Sequence, residues 1–87
     1  MTDQEFDALD ELYFVISFRE LQRNLSWTEQ ELLVVLKNLL SKELIKGIDP
    51  GSEEEMELSS AILDKVYDKV LFLATKKGLM EHNSREA

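Results

Sequence analysis

The apolar residues of this chain fall into three helical stripes, followed by two short runs that abandon helical spacing. Phe6, Leu9, Leu12, Tyr13 and Ile16 recur at intervals of three and four, which predicts a first helix from about Asp3 to Ile16. Phe18, Leu21 and Leu25 predict a short second helix from about Phe18 to Asn24. Leu32, Leu33, Leu36, Leu39 and Leu40 predict a third, from about Glu29 to Lys42, with the leucines inward. Only Leu25-Ser26-Trp27 separates the second and third helices, and so short a turn forces them to cross steeply. Each helix opens on a hydroxyl residue three positions before a Glu: Thr2 with Glu5, Ser17 with Glu20, Thr28 with Glu31. In that pattern the hydroxyl caps one unpaired backbone N–H and the Glu reaches back to another. Ser26 with Glu29 also fits, which leaves two registers for the third start.

Beyond Lys42 the pattern changes. Leu44-Ile45-Lys46-Gly47-Ile48 is short, β-branched and stopped by Asp49-Pro50-Gly51, which predicts a strand running into a turn. Glu53–Glu57 reads as a solvated loop, and a short helix is expected from Ser59 or Ser60 to Lys65. Tyr67 to Ala74 predicts a second strand whose Val70–Ala74 stretch suits burial on both faces. A rival reading stands beside it. Ile62, Leu63, Val66, Val70, Leu73 and Ala74 also share one helical stripe, so residues 60–75 fit a single long helix. Residues from about 79 to 87 read as a short helix or a flexible tail.

Composition narrows the class. Eighty-seven residues with 44% apolar content suit a single ordered domain spanning the chain. At this size folding hides only about 60% of the unfolded surface. No Cys is present, so the core has neither a disulfide nor a thiolate metal site to help it. The acidic start Met1-Thr2-Asp3-Gln4-Glu5 is unlike a secretory leader, and Val70–Ala74 is far shorter than a membrane span. A cytoplasmic protein is expected, with no membrane partner.

The net charge is −8, in blocks. Residues 1–15 hold five acids and no base, and residues 51–64 again hold five acids and no base. Residues 16–50 are balanced, and residues 65–87 carry five bases against three acids. Such a chain repels phosphate at long range, although a local basic surface is compatible with it. No catalytic chemistry is expected. The single His82 lies in the tail, and Asp49-Pro50-Gly51-Ser52-Glu53 lacks the spaced acids of a calcium loop. Neither a phosphate-binding Gly loop nor a nucleophile elbow is present, so neither metal nor cofactor is expected.

The stretch Leu25-Ser26-Trp27-Thr28-Glu29-Gln30-Glu31-Leu32, with Leu36, Leu39-Leu40 and Leu44-Ile45, resembles the middle of bacterial winged helix-turn-helix transcriptional regulators. Leu73-Ala74-Thr75-Lys76-Lys77-Gly78-Leu79 resembles the segment that closes their wing and opens the next helix. The resemblance spans about Phe6 to Asn83 and implies an α+β, mainly α, winged helix-turn-helix fold. Three N-terminal helices would be followed by a two-stranded wing with an elongated acidic loop. Two departures stand out: Glu43 occupies the usual Gly position, and residues 51–67 are longer and more acidic than an ordinary wing.

The resemblance also implies a DNA-associated regulator whose third helix enters a major groove. Its outward face carries Gln30, Val34, Lys37, Asn38 and Ser41, with Glu31 at the edge. Gln and Asn can pair with adenine and Val can touch a thymine methyl. Arg19, Arg23, Lys46, Lys76 and Lys77 are then the candidate phosphate contacts, completed by Lys37 and Lys42. Each has a plainer role as a surface residue, Arg19 and Arg23 by pairing with Glu20 or with the acidic first helix. Trp27 reads first as packing that sets the angle between helices two and three, and second as an interface anchor. A two-fold homodimer would set two third helices about 34 Å apart on DNA. The charge favours another occupant of the same scaffold: a basic protein partner bound by the acidic first helix or wing.

Overall fold

The computed structural model describes residues 1–86, with side chains for residues 1–84. Its elements run α1 (Asp3–Glu11), β1 (Ile16–Ser17), α2 (Phe18–Leu25), α3 (Glu29–Ser41), β2 (Ile45–Ile48), β3 (Glu55–Met56), α4 (Ser60–Val66), β4 (Leu71–Ala74) and α5 (Lys76–Glu86). The chain is thus α+β and mainly helical, with five helices and one four-stranded antiparallel sheet among the described residues. Strand order is β1-β4-β2-β3. No helix among them is long and apolar enough to cross a membrane.

The capping signals work as written at α1 and α3. Thr2 and Glu5, and Thr28 and Glu31, each form both halves of the box. Ser17 accepts from the Glu20 N–H. Ser26 does not open α3, because it terminates α2 in the left-handed conformation at φ 58°. The inward residues behave as expected for Leu9, Leu12, Phe18, Leu21, Leu32, Leu33, Leu36 and Leu39, all buried. Val35 joins them, so the buried face of α3 is broader than the leucine stripe, while Leu40 is half-buried. Trp27 is half-buried against the same core.

Four expectations need correction. The first helix ends at Glu11, not Ile16. Tyr13-Phe14-Val15-Ile16 is an aromatic and β-branched run that loses rotamer freedom in a helix, and Ile16–Ser17 pair with Phe72 and Leu71 as β1. Consequently Tyr13 sits at the surface and Ile16 is half-buried on a strand rather than on a helix. The final strand is Leu71–Ala74, shorter than Tyr67–Ala74, and it alternates half-buried and buried instead of being covered on both faces. The single long helix over 60–75 is ruled out: α4 stops at Val66, and β4 takes the central position between β1 and β2. Inter-strand hydrogen bonding on both edges outweighs a helical stripe that continues only by coincidence of spacing. Finally, the acidic segment is not a plain loop, since it contains β3 and leads into α4.

Helix α5 begins at Lys76, earlier than expected, because Thr75 caps it by accepting from the Gly78 N–H at 3.0 Å. The same Thr75 donates its backbone N–H to the Leu44 carbonyl at 2.9 Å and its hydroxyl to the Glu43 carbonyl at 2.8 Å. A side chain at Gly78 would collide with the Leu44 carbonyl, so only Gly permits this approach. His82 is therefore no tail residue. It is 2% exposed, stacked 4.2 Å from the Phe6 ring, with Nδ1 2.8 Å from the Tyr13 hydroxyl. Its Nε2 lies 3.3 Å from an Asp10 oxygen without hydrogen-bond alignment.

Candidate functional site

The outer face of α3 is built as its periodicity requires. Gln30, Val34, Asn38 and Ser41 are exposed, Val34 by 50%. Ser41 donates its hydroxyl to the Asn38 carbonyl at 2.8 Å, which also accepts the Lys42 N–H at 3.2 Å. Lys37 departs from this face. It is half-buried and its Nζ meets the Asp64 carboxylate of α4 at 2.8 Å.

The basic residues meant for phosphate are largely engaged within the chain. Arg19 Nη1 pairs with Glu29 of α3 at 2.8 Å, bonds to Gln22 at 3.1 Å, and its guanidinium lies over the rings of Phe18 and Tyr67. The partner is thus neither Glu20 nor the first helix. Tyr67 donates its hydroxyl to the other Glu29 oxygen at 2.8 Å. The Arg19 and Tyr67 hydrogen bonds hold the Glu29 carboxyl below its ordinary range, and Glu29 in turn raises the Tyr67 phenol.

Lys42 reaches across to Glu5 at 2.7 Å, a carboxylate only 1% exposed. Burial pushes the Glu5 carboxyl upward, but hydrogen bonds from Lys42 and Thr2 outweigh it and the net shift is downward. Lys46 of β2 meets Glu55 of β3 at 3.2 Å. Lys76 and Lys77 lie on the first turn of α5, just beyond β4, and Lys77 donates to the Lys42 carbonyl at 3.0 Å. Arg23 and Lys76 keep exposed heads with no side-chain partner among the described residues.

Two features escaped the sequence reading. The first is a groove of about 390 Å³ between the C-terminal end of α3 and the outer strand, lined by Leu40, Glu43, Lys46, Met56, Glu57 and Leu58. A second hollow of about 340 Å³ continues past Leu58 to Ile62 of α4. The alternation of Met56 and Leu58 with Glu55, Glu57 and Ser59 was the only signal for this groove, and the run of acids concealed it. The second is the loop after α1, where Phe14 is 82% exposed beside the half-exposed Val15. Among the described residues no three His, Asp or Glu side chains form a metal-binding group. No protein-family model, curated protein or solved structure matches the chain.

Proposed function

We propose that this chain is a non-catalytic protein-interaction module on a winged-helix type of scaffold, and that its partner surface is basic. The scaffold reading is supported by two helices joined through Ser26-Trp27-Thr28 and by β4 seated between β1 and β2. In this reading β3 and α4 are an insertion in the wing.

The observation that carries the choice of partner is the internal use of cations. Arg19, Lys37, Lys42 and Lys46 each hold a carboxylate of the same chain, and Lys77 holds a backbone carbonyl. A duplex would have to compete for these groups against partners already in place, across a chain of net charge −8. A basic protein surface meets less competition, because Glu43, Glu54 and Glu57 have no side-chain partner among the described residues, although Glu55 is held by Lys46.

A DNA-associated regulator is the second reading, favoured by one observation: Gln30, Val34 and Asn38 stand exposed in a row on α3. Titrating a labelled random-sequence duplex with the protein at about 50 and 200 mM salt separates the two, since phosphate contacts weaken steeply over that range. The expected outcome is no salt-sensitive binding. Tight binding at low salt that collapses at the higher salt would overturn the protein-partner reading and restore the regulator.

A further inference from the structure

Among the described residues the outer strand β3 is hydrogen-bonded on one side only, to β2, and stands last in the sheet. Its two paired residues understate its extent. Burial alternates from Glu55 to Ser59, with Met56 and Leu58 half-buried and Glu55, Glu57 and Ser59 exposed, which is the period of an extended strand. Met56 lies opposite Gly47 in the register. A side chain at Gly47 would strike the Leu58 side chain at 2.8 Å and meet Met56 at 3.4 Å. The absent side chain thus lets Met56 and Leu58 lie down over β2, and with Leu40 they supply the apolar part of a groove lining that is otherwise largely polar. Its rim carries Glu43 and Glu57, while Lys46 is held by Glu55.

We propose that this edge and groove receive an extended, basic segment of a partner protein as a fifth strand of the sheet, a proposal that rests on the protein-interaction reading and gives it a place. Strand addition supplies main-chain hydrogen bonds to an open edge and seats alternate side chains in a neighbouring apolar groove. Both halves of that recognition are present: an edge without a neighbour, and a floor of Leu40, Met56 and Leu58 beside it. Charge selects the occupant. A second copy of this chain would bring Glu53, Glu54, Glu55 and Glu57 against themselves, and like charges facing across a strand pair oppose pairing. Nucleic acid is repelled by the same four residues. A segment alternating Lys or Arg with Val, Leu or Ile answers both the rim and the floor. The competing role for these acids is to guard the edge against any pairing at all, and the experiment decides between the two.

The probe is a fluorescein-labelled peptide of about six residues, a usual strand length, alternating Lys and Val. It is titrated into the full chain and followed by anisotropy and by backbone amide shifts. Expected are saturable binding and amide shifts concentrated at residues 54–59 with the groove residues beside them. Glu57→Lys, an exposed change that leaves the core intact, should weaken binding about fivefold. Methylating alternate peptide nitrogens, so that they no longer donate, should weaken it about tenfold. Equal affinity for the methylated peptide would overturn strand addition, and equal affinity for a Glu-Val peptide would overturn the basic occupant. Absence of binding would mean that the acids guard the edge, and would overturn the proposal. Shifts confined to the acids of α1 would reject this site and leave a protein-binding module standing, whereas the duplex titration tests that module by itself.

Discussion

Glu43 sits in the left-handed region at φ 61°, where the helix α3 ends. The Leu44 N–H bonds back to the Leu39 carbonyl and the Glu43 N–H to the Leu40 carbonyl, both at 3.0 Å, the paired bonds of a Schellman motif. Gly is the usual residue there because it has no Cβ to strain. Glu43→Gly should therefore raise stability by about 0.5–1 kcal/mol, read as a higher urea midpoint at unchanged slope. Gly78 presents the opposite situation. Gly78→Ala drives a methyl into the Leu44 carbonyl and should cost about 3 kcal/mol by the same assay, far beyond the ordinary effect of Ala for Gly in a helix. His82→Ala removes the ring stacked on Phe6 and bonded to Tyr13, so a loss of about 2–3 kcal/mol is expected. Neither His82 nor Gly78 announced its role in the sequence. Each depends on a residue far away along the chain, Phe6 in one case and Leu44 in the other, and residue type alone carries no trace of that.

At the scale of elements, what was legible was local. The capping boxes of α1 and α3 need only neighbours three residues apart, and both are in place. A short helix was expected from Ser59 or Ser60 to Lys65, and α4 lies at Ser60–Val66. What misled was a stripe that outlasted its helix: Tyr13 and Ile16 keep the spacing of α1, yet β1 recruits Ile16 because β4 offers it backbone partners. The fastening of α1 to α3 has a pH consequence. The Glu5 carboxyl is held below its ordinary range in the folded chain, so its contribution is complete above the unfolded value and is lost as pH falls through the folded one. Thermal melts taken from about pH 6 down to about pH 3 should show a falling midpoint. Lys42→Met, which removes the ammonium but keeps an aliphatic stem, should flatten that fall and lower the midpoint near neutrality, since a buried carboxylate is left without its partner.

Across the whole molecule, the acidic excess was legible and its arrangement was not. The blocks in residues 1–15 and 51–64 are plain from the sequence. That Asp64, Glu55, Glu29 and Glu5 would each claim a cation intended for phosphate required the fold, because every one of those pairs joins two different segments of the chain. Of the candidate contact residues, Gln30, Val34, Asn38 and Ser41 share the outer side of α3, Arg23 and Lys76 stand exposed, and Arg19, Lys37, Lys42, Lys46 and Lys77 are engaged within the chain. Net charge gives a further expectation. With four acids in the residues from Glu53 to Glu57, Glu54→Lys together with Glu57→Lys should reduce capture of the Lys-Val peptide and bring in weak, salt-sensitive duplex binding that is not expected of the parent chain.

The position of β4 governs how such a chain comes to be folded at all. Ile16 finds its strand partner at Phe72, and Ile45 finds its own at Ala74. The first sixty residues contain the segments of three helices and of the β2–β3 hairpin, but without β4 the strand β1 has nothing to pair with. Long-range closure of this kind slows folding relative to a helical bundle of equal length. The late strand β4 also joins the early strand β1 to the hairpin. A chain stopped short of Leu71 lacks the strand that joins β1 to β2, and greater susceptibility to proteolysis and self-association is expected of it.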